Sequence, residues 1–342
     1  MKKYLFIPII LFLLIISSFF VWQGIYLPQN PLGKEKIFKI EEGEGLREIS
    51  FHLEKEGLIK SRLFFKIYVL SKGVSKNLQA GNYSLFPSMT IPEITQKIVL
   101  GDVIKEKITV IEGWNKKEIA DYLEEKEIVD AEKFLIALNL NWEDKYEFLR
   151  DKPVNRDIEG YLFPDTYFIE YTPNFAIAEN MVLTEEERIV QKMLDNFDKK
   201  LTQDLREEIS RQGKTIFEIV TMASMLEKEV KNFEDKKLVS GILWKRLENG
   251  IPLQVDATII YITGKKTSQL SLEDLQIDSP YNTYKYRGLP LGPICNPGID
   301  SILAAIYPKE SEYWYYLSIP EGETIFSKTL EEHNLAKAKY LK

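Results

Sequence analysis

The chain has 342 residues, 44% of them apolar and 12% aromatic, which excludes a mainly disordered polymer and leaves room for about two or three folded units. A formal charge of −7 and a pI near 5.3 exclude the basic footprint of a nucleic-acid binder. One cysteine, Cys295, and two distant histidines, His52 and His333, rule out an internal disulfide and supply too few soft ligands for a zinc or iron centre.

The first element is apolar throughout. "MKK" precedes Tyr4–Trp22, a run with no charged residue. At 1.5 Å per residue it spans about 28 Å, close to a bilayer's hydrocarbon core. It is expected to form a transmembrane helix over 4–22. Lys2 and Lys3 would hold residues 1–3 in the cytoplasm, Trp22 and Tyr26 would anchor at the interface, and the rest would lie outside. The rival reading is a cleaved signal peptide, for which the run is long and lacks an A-x-A-like site. Residues 23–36, with Pro28, Pro31 and Gly33, read as a linker.

An internal repeat follows. Residues 38–64 align without gaps on 108–134, with Glu42/Glu112, Gly43/Gly113, Ile49/Ile119, Leu53/Leu123 and Phe64/Phe134 among the identical pairs. Each copy opens on an alternating run, turns at glycine and continues with apolar residues at i, i+4, which predicts strand, turn and helix. Between the copies, "AGNYSLFPSMTIPEITQKIVLGD" reads as strand, turn and helix. "IEGYLFPDTYFIEY", 158–171, suggests two strands around a tight turn. Residues 181–213 carry one long amphipathic helical pattern, with Thr184 and Glu187 placed for a capping box. Further helices are expected around Thr221 and over 233–248. From Gly250 on, "IPLQVDATIIYITG" and "DSPYNTYKYRGLPLGPICNPGID" have loop composition, with "SILAAIYP" a short helix. Two strands around Pro320–Glu323 and a last helix, 330–340, complete the chain. The fold class is α+β, with a region 37–150 that contains the repeat and a helix-rich domain 151–342.

No GxSxG elbow, P-loop, GxGxxG or HExxH occurs, and Ser224 has no histidine within forty residues, so a carboxylate enzyme is the main contender. Carboxylates suit glycosidic chemistry. "TMASMLEKEV", 221–230, ends an apolar helix on Glu227 and Glu229. On a helical wheel Glu227 lies about 60° and Glu229 about 100° from the centre of the apolar face. Either can be a half-desolvated acid, Glu227 can instead pair with a cation of the next helix, and both can form a solvated helix end. The wheel leaves these readings open.

In "AGNYSLFPSMT", "IEGYLFPDTYF", "TMASMLEKEV", "RLENGIPLQVDATIIY", "SPYNTYKYRGLPLGPICNPGIDSILAAI" and His333–Asn334, taken in that order with the N-terminal anchor, the chain resembles the endolytic murein transglycosylases (MltG, YceG-like) over essentially its whole length. The resemblance implies a membrane-anchored peptidoglycan lyase that cuts nascent glycan strands between MurNAc and GlcNAc and leaves 1,6-anhydro-MurNAc ends, with no metal and no cofactor. It carries the catalytic role to Glu229, with Glu227 as the alternative, and makes the repeat LysM-like. Gln254, Asp256, Tyr281, Asn282, Thr283 and Tyr284 are the candidate groove residues, since amides, hydroxyls and aromatic rings recognise sugars; their other reading is turn-making and packing. The implied partners are glycan strands and the membrane, with peptidoglycan synthases and division proteins beside them. A non-catalytic peptidoglycan-binding or division scaffold and a glycan hydrolase, with Asp165 or Asp256 as second carboxylate, are the alternatives.

Overall fold

A strand–turn–helix segment presents one apolar face and folds only by packing it on something. The chain does this in two compact units, Met1–Ile108 with Phe168–Met181 and Thr109–Tyr167 with Val182–Lys342. The computed structural model describes residues 6–170, 183–266, 269–319 and 322–340, the side chains of 6–11 and 170 excepted.

In the first unit, helix α1 (Phe6–Tyr26) is followed by strand β1 (Lys36–Ile40), helices α2 (Leu46–Lys55) and α3 (Arg62–Ser71), strand β2 (Gly81–Leu85) and helix α4 (Ile91–Leu100). β1 and β2 pair antiparallel, with Phe38 opposite Tyr83. Alternation turns Phe38 and Ile40 inward and leaves Ile37 exposed. Ile49 and Leu53 of α2, Phe65 and Val69 of α3, and Ile94 and Ile98 of α4 close the core over that sheet. Pairs spaced i, i+4 present one stripe, as amphipathic helices require.

Among the described residues no helix is long and apolar enough to cross a membrane. The expected span 4–22 falls partly outside the described residues, at 4 and 5, and the described helix runs on to Tyr26, past Trp22. Residues 1–3, expected in the cytoplasm, lie outside them altogether.

Strand β3 (Lys105–Thr109) leads into α5 (Lys116–Glu125) and α6 (Ala131–Ala137), and strand β4 (Thr166–Glu170) comes later. The repeat is visible in the backbone: α2 and α5 start and stop at equivalent residues, and Gly43 and Gly113 adopt the same left-handed turn, φ 89° and 83°. Only a residue without Cβ enters that turn freely. Ile119 and Leu123 are buried as their counterparts Ile49 and Leu53 are, and Phe134 is buried where Phe64 is half-buried.

The second unit continues with α7 (Glu185–Lys200), α8 (Gln203–Arg211), α9 (Ile216–Glu229), α10 (Phe233–Glu248), α11 (Asp256–Thr263), α12 (Ile299–Ile306), β5 (Tyr315–Ser318), β6 (Thr324–Ser327) and α13 (Leu330–Tyr340). α9 is its centre, packed on α8, α10, α11 and α12. Ile219 to Leu226 are buried without interruption. Its two buried hydroxyls bond within the helix, Thr221 to the Phe217 carbonyl (2.7 Å) and Ser224 to the Thr221 carbonyl (2.8 Å). The Ser224 hydroxyl also accepts the Ile294 amide (3.1 Å), so it has a structural role in holding that segment on α9. α10 passes so close to the 307–311 loop that a Cβ on Gly241 would stand 2.1 Å from the Lys309 carbonyl oxygen.

Three sequence expectations change. The long pattern over 181–213 is two helices, because Leu201 leaves helical geometry (φ −84°, ψ 77°) and Arg206 bonds the freed carbonyls of Leu201 and Asp198; residues 181 and 182 lie outside the described set. Asp256–Thr263, expected as loop, is helix: burial of Ala257, Thr258 and Ile259 outweighs the weak helix propensity of its β-branched residues. Of the two strands expected over 158–171, only β4 forms, since Gly160 (φ 92°) and Pro164 turn the chain before it; Tyr171 lies outside the described set. β5 and β6 pair antiparallel from Tyr315–Ser327 to Ser318–Thr324. Pro320 and Glu321 of the turn between them lie outside the described residues.

Candidate active site

The last turn of α9 sends its two glutamates to different surroundings. Glu227 turns inward and its carboxylate is fully engaged. It accepts from the Gly298 amide (3.0 Å) and the Ser301 hydroxyl (2.7 Å) at the start of α12, and pairs with Lys236 Nζ of α10 at 3.2 Å. The side chains of Glu227 and Lys236 are only 9% and 4% exposed. Amides at a helix N-terminus favour an anion, and the ammonium completes the pairing. Glu227 thus ties α9, α10 and α12 together.

Glu229 is half-buried and lines a cavity of about 1350 Å³ within the second unit. Burial, and then the charge of Asp256, raise its carboxyl to about 7. Two donors partly oppose this, the Ala257 amide in the first turn of α11 and the Tyr316 hydroxyl of β5. The group therefore stays protonated close to neutrality, and donors already face the carboxylate that forms when it gives the proton away. Ser318 donates to the Glu229 backbone carbonyl (2.7 Å), joining β5 to the end of α9.

Of the six groove candidates, Gln254, Asp256 and Tyr284 line this cavity. Gln254 is exposed and holds a left-handed backbone, φ 57°, a conformation that costs a residue with a Cβ. Its amide donates to the Thr283 carbonyl (3.1 Å) and its side chain accepts from Arg246 Nη2 (2.7 Å). The Tyr284 hydroxyl donates to Asp256. Tyr281, Asn282 and Thr283 are not among the lining residues. Asn282 is buried and builds the turn: its side-chain amide donates to the carbonyls of Leu275 and Ile277, and its oxygen accepts the Tyr284 and Lys285 amides. Thr283 bonds the Val255 amide (3.0 Å) and the Thr258 hydroxyl, fixing the entry to α11. Tyr281 packs on Tyr261, ring centroids 5.0 Å apart. Asp165 also stands off the cavity, bonded to Asn196 (3.0 Å) and the Thr166 amide.

Sequence reasoning passed over several residues of the cavity wall, Glu159, Tyr316 and Arg246 among them. Glu159, 3% exposed, accepts from the Lys116 amide (2.9 Å) and from Asn296 Nδ2 (3.1 Å), and burial pushes its carboxyl up to about 8. Asn296 also receives the Gly160 and Leu162 amides (both 2.9 Å) and donates to the Trp114 carbonyl. Tyr316 and Arg246 were likewise unassigned. The acid between Ile158 and Gly160, at the head of an apolar stretch, was a signal for Glu159. Nothing in "EYWYYLS" separates Tyr316 from its neighbours.

A cavity of this size with a half-buried acid, further carboxylates and aromatic and amide walls defines a carboxylate site. The model of the YceG-like family matches residues 38–339, and the chain belongs to that family. It is similar to the endolytic murein transglycosylase of Bacillus subtilis (strain 168), 33% identical over 341 residues covering 96% of this chain and 91% of the relative. It is also 30% identical over 369 residues to the protein of that name from Streptococcus pneumoniae D39, covering 98% of this chain and 65% of the relative. Among solved structures, a yceG-like protein of Listeria monocytogenes superposes with a TM-score of 0.58 at 32% identity, over 89% of this chain and all of that one.

Proposed function

We propose that the chain is a peptidoglycan lytic transglycosylase that cleaves between MurNAc and GlcNAc with Glu229 as acid and then base. The observation that carries this reading is the environment of Glu229: its carboxyl is raised to about 7 at the wall of the cavity, and the Tyr316 hydroxyl and Ala257 amide receive its ionised form. Glu229 protonates the glycosidic oxygen as its bond to MurNAc C1 breaks. The MurNAc C6 hydroxyl attacks C1, and its proton returns to Glu229. No water enters, and the product ends in 1,6-anhydro-MurNAc. Glu227 is occupied by Lys236, Gly298 and Ser301, which favours a supporting role for it. Tyr284, Asp256 and Gln254 contact the sugar.

Purified Glu229→Gln protein is expected to lose at least about 10³-fold in the yield of anhydro-muropeptides, the scale of general acid–base catalysis. Undiminished yield moves the catalytic role off Glu229, with Glu227 as the alternative; a wild-type protein that makes no anhydro ends leaves a binding or scaffold protein. A hydrolase remains the second reading because Asp256 shares the cavity and its charge reaches Glu229. Mass spectrometry separates the two, since the anhydro end is lighter by one water.

The N-terminal helix is proposed as a single-pass anchor that holds the catalytic domain outside the cytoplasm. Its support is the uncharged run 4–22 together with exposed Phe12, Leu13, Leu14, Ile15, Phe19 and Phe20. The repeated strand–turn–helix units are proposed as LysM-like glycan contacts, and synthases and division proteins as neighbours at the membrane.

A further inference from the structure

One wall of the cavity carries Arg246 and Lys337, neither in an ion pair among the described residues. Arg246 of α10 is 6% exposed, and among the described residues it forms no ion pair. Its guanidinium is fixed by the Gln254 side chain (2.7 Å) and by the Tyr315 ring, 5.6 Å from the centroid. The remaining guanidinium N–H groups have no protein partner there. An unpaired guanidinium facing a cavity is placed to receive an anionic ligand by charge-assisted hydrogen bonds. Tyr315 also stacks on His333 of α13, centroids 5.4 Å apart and ring planes 24° apart. Lys337 stands one turn further along the same helix face, exposed and without an ion pair among the described residues. All four side chains line the cavity that holds Glu229.

We propose that Arg246, Tyr315, His333 and Lys337 form a subsite that binds a carboxylate of the peptide carried by the glycan strand. This rests on reading the cavity as the glycan site. Burial and the charges of Lys337 and Arg246 lower the His333 pKa, so the subsite offers one guanidinium fork and one ammonium beside a neutral imidazole. The planar guanidinium fork matches the two coplanar oxygens of a carboxylate, with the ammonium beside it. The cavity's 1350 Å³ exceeds the ~300–1,000 Å³ usual for small ligands and leaves room for peptide beside sugar. The subsite would make the protein select strands that still carry peptides with free carboxylates.

The test uses the full chain carrying Glu229→Gln, so that binding is read without cleavage. Uncrosslinked, peptide-bearing strands are compared with the same strands after their carboxylates are converted to amides. Amidation is expected to weaken binding about tenfold, by about threefold when Lys337→Gln is added, and by less than about twofold when Arg246→Gln is added. Lys337 is exposed, so its variant keeps the test valid if the Arg246 variant fails to fold. Equal affinity for the two strands, or full discrimination in both added variants, overturns the proposal. So does a preference that follows a terminal phosphate and ignores amidation. Discrimination as expected, with a wild-type chain that makes no anhydro ends, supports the subsite and overturns the lyase reading instead.

Discussion

Lys236 Nζ lies 3.2 and 3.3 Å from the two carboxylate oxygens of Glu227, in a pair almost closed to solvent. Breaking such a pair from one side leaves the other charge buried, at a cost of about 3–5 kcal/mol. Lys236→Met is therefore expected to destabilise the protein by that amount in urea denaturation. Glu227→Gln should cost less in the Lys236→Met background than in the wild type, because the stranded charge is then gone. A Lys236→Met protein within 1 kcal/mol of the wild type would count against Glu227 as the tie between α9, α10 and α12.

Glu159 makes stability depend on pH with a definite sign. Its carboxyl is raised to about 8 in the folded chain by burial, against an ordinary value of about 4.3 in the unfolded one. Between those values the folded state keeps a proton that the unfolded state has lost. Stability accordingly falls as pH rises through this window, by up to about 1.4 kcal/mol per unit, and levels off above about 8. Glu159→Gln keeps an acceptor for the Lys116 amide and abolishes the titration. Urea midpoints between pH 5 and 8 should decline less steeply in that variant; parallel declines would reject the assignment.

The legible parts of the sequence were those where local chemistry and burial agree. Thr184 with Glu187 forms the capping box that the spacing announced, and the 70-residue offset between the repeat copies reappears in the bounds of α2 and α5. The α11 segment was missed because its Thr and Ile residues favour strand, and only burial against the rest of the unit overrides that preference. Within the site, the wheel separated Glu227 from Glu229 but could not name their partners. Those partners lie far along the chain: Gly298 and Ser301 for one, Tyr316 and Ala257 for the other. Long-range convergence of this kind leaves no periodic trace.

Asp256 acts on Glu229 through charge, and that charge raises the Glu229 carboxyl. Asp256→Asn removes the like charge and lowers the Glu229 pKa. The alkaline limb of kcat/KM, set by loss of the Glu229 proton, should then move about 0.5–1 unit to lower pH, measured as anhydro-end formation across pH 5–9. An unmoved limb would mean that another group sets it.

Tyr316 is expected to move that limb the other way. Its hydroxyl donates to Glu229, and this hydrogen bond favours the carboxylate over the acid. In Tyr316→Phe the carboxylate loses a donor, so the pKa rises and the limb shifts to higher pH, by about 0.5–1 unit. The rate at the optimum should nevertheless fall about 10–100-fold, because the ionised Glu229 formed after proton transfer is no longer held where it takes the proton from the C6 hydroxyl. A purely structural tyrosine would lower the rate without moving the limb. The opposite shifts expected of Asp256→Asn and Tyr316→Phe therefore assign the titrating group to Glu229, since no other carboxyl of the cavity has both neighbours acting on it with these signs.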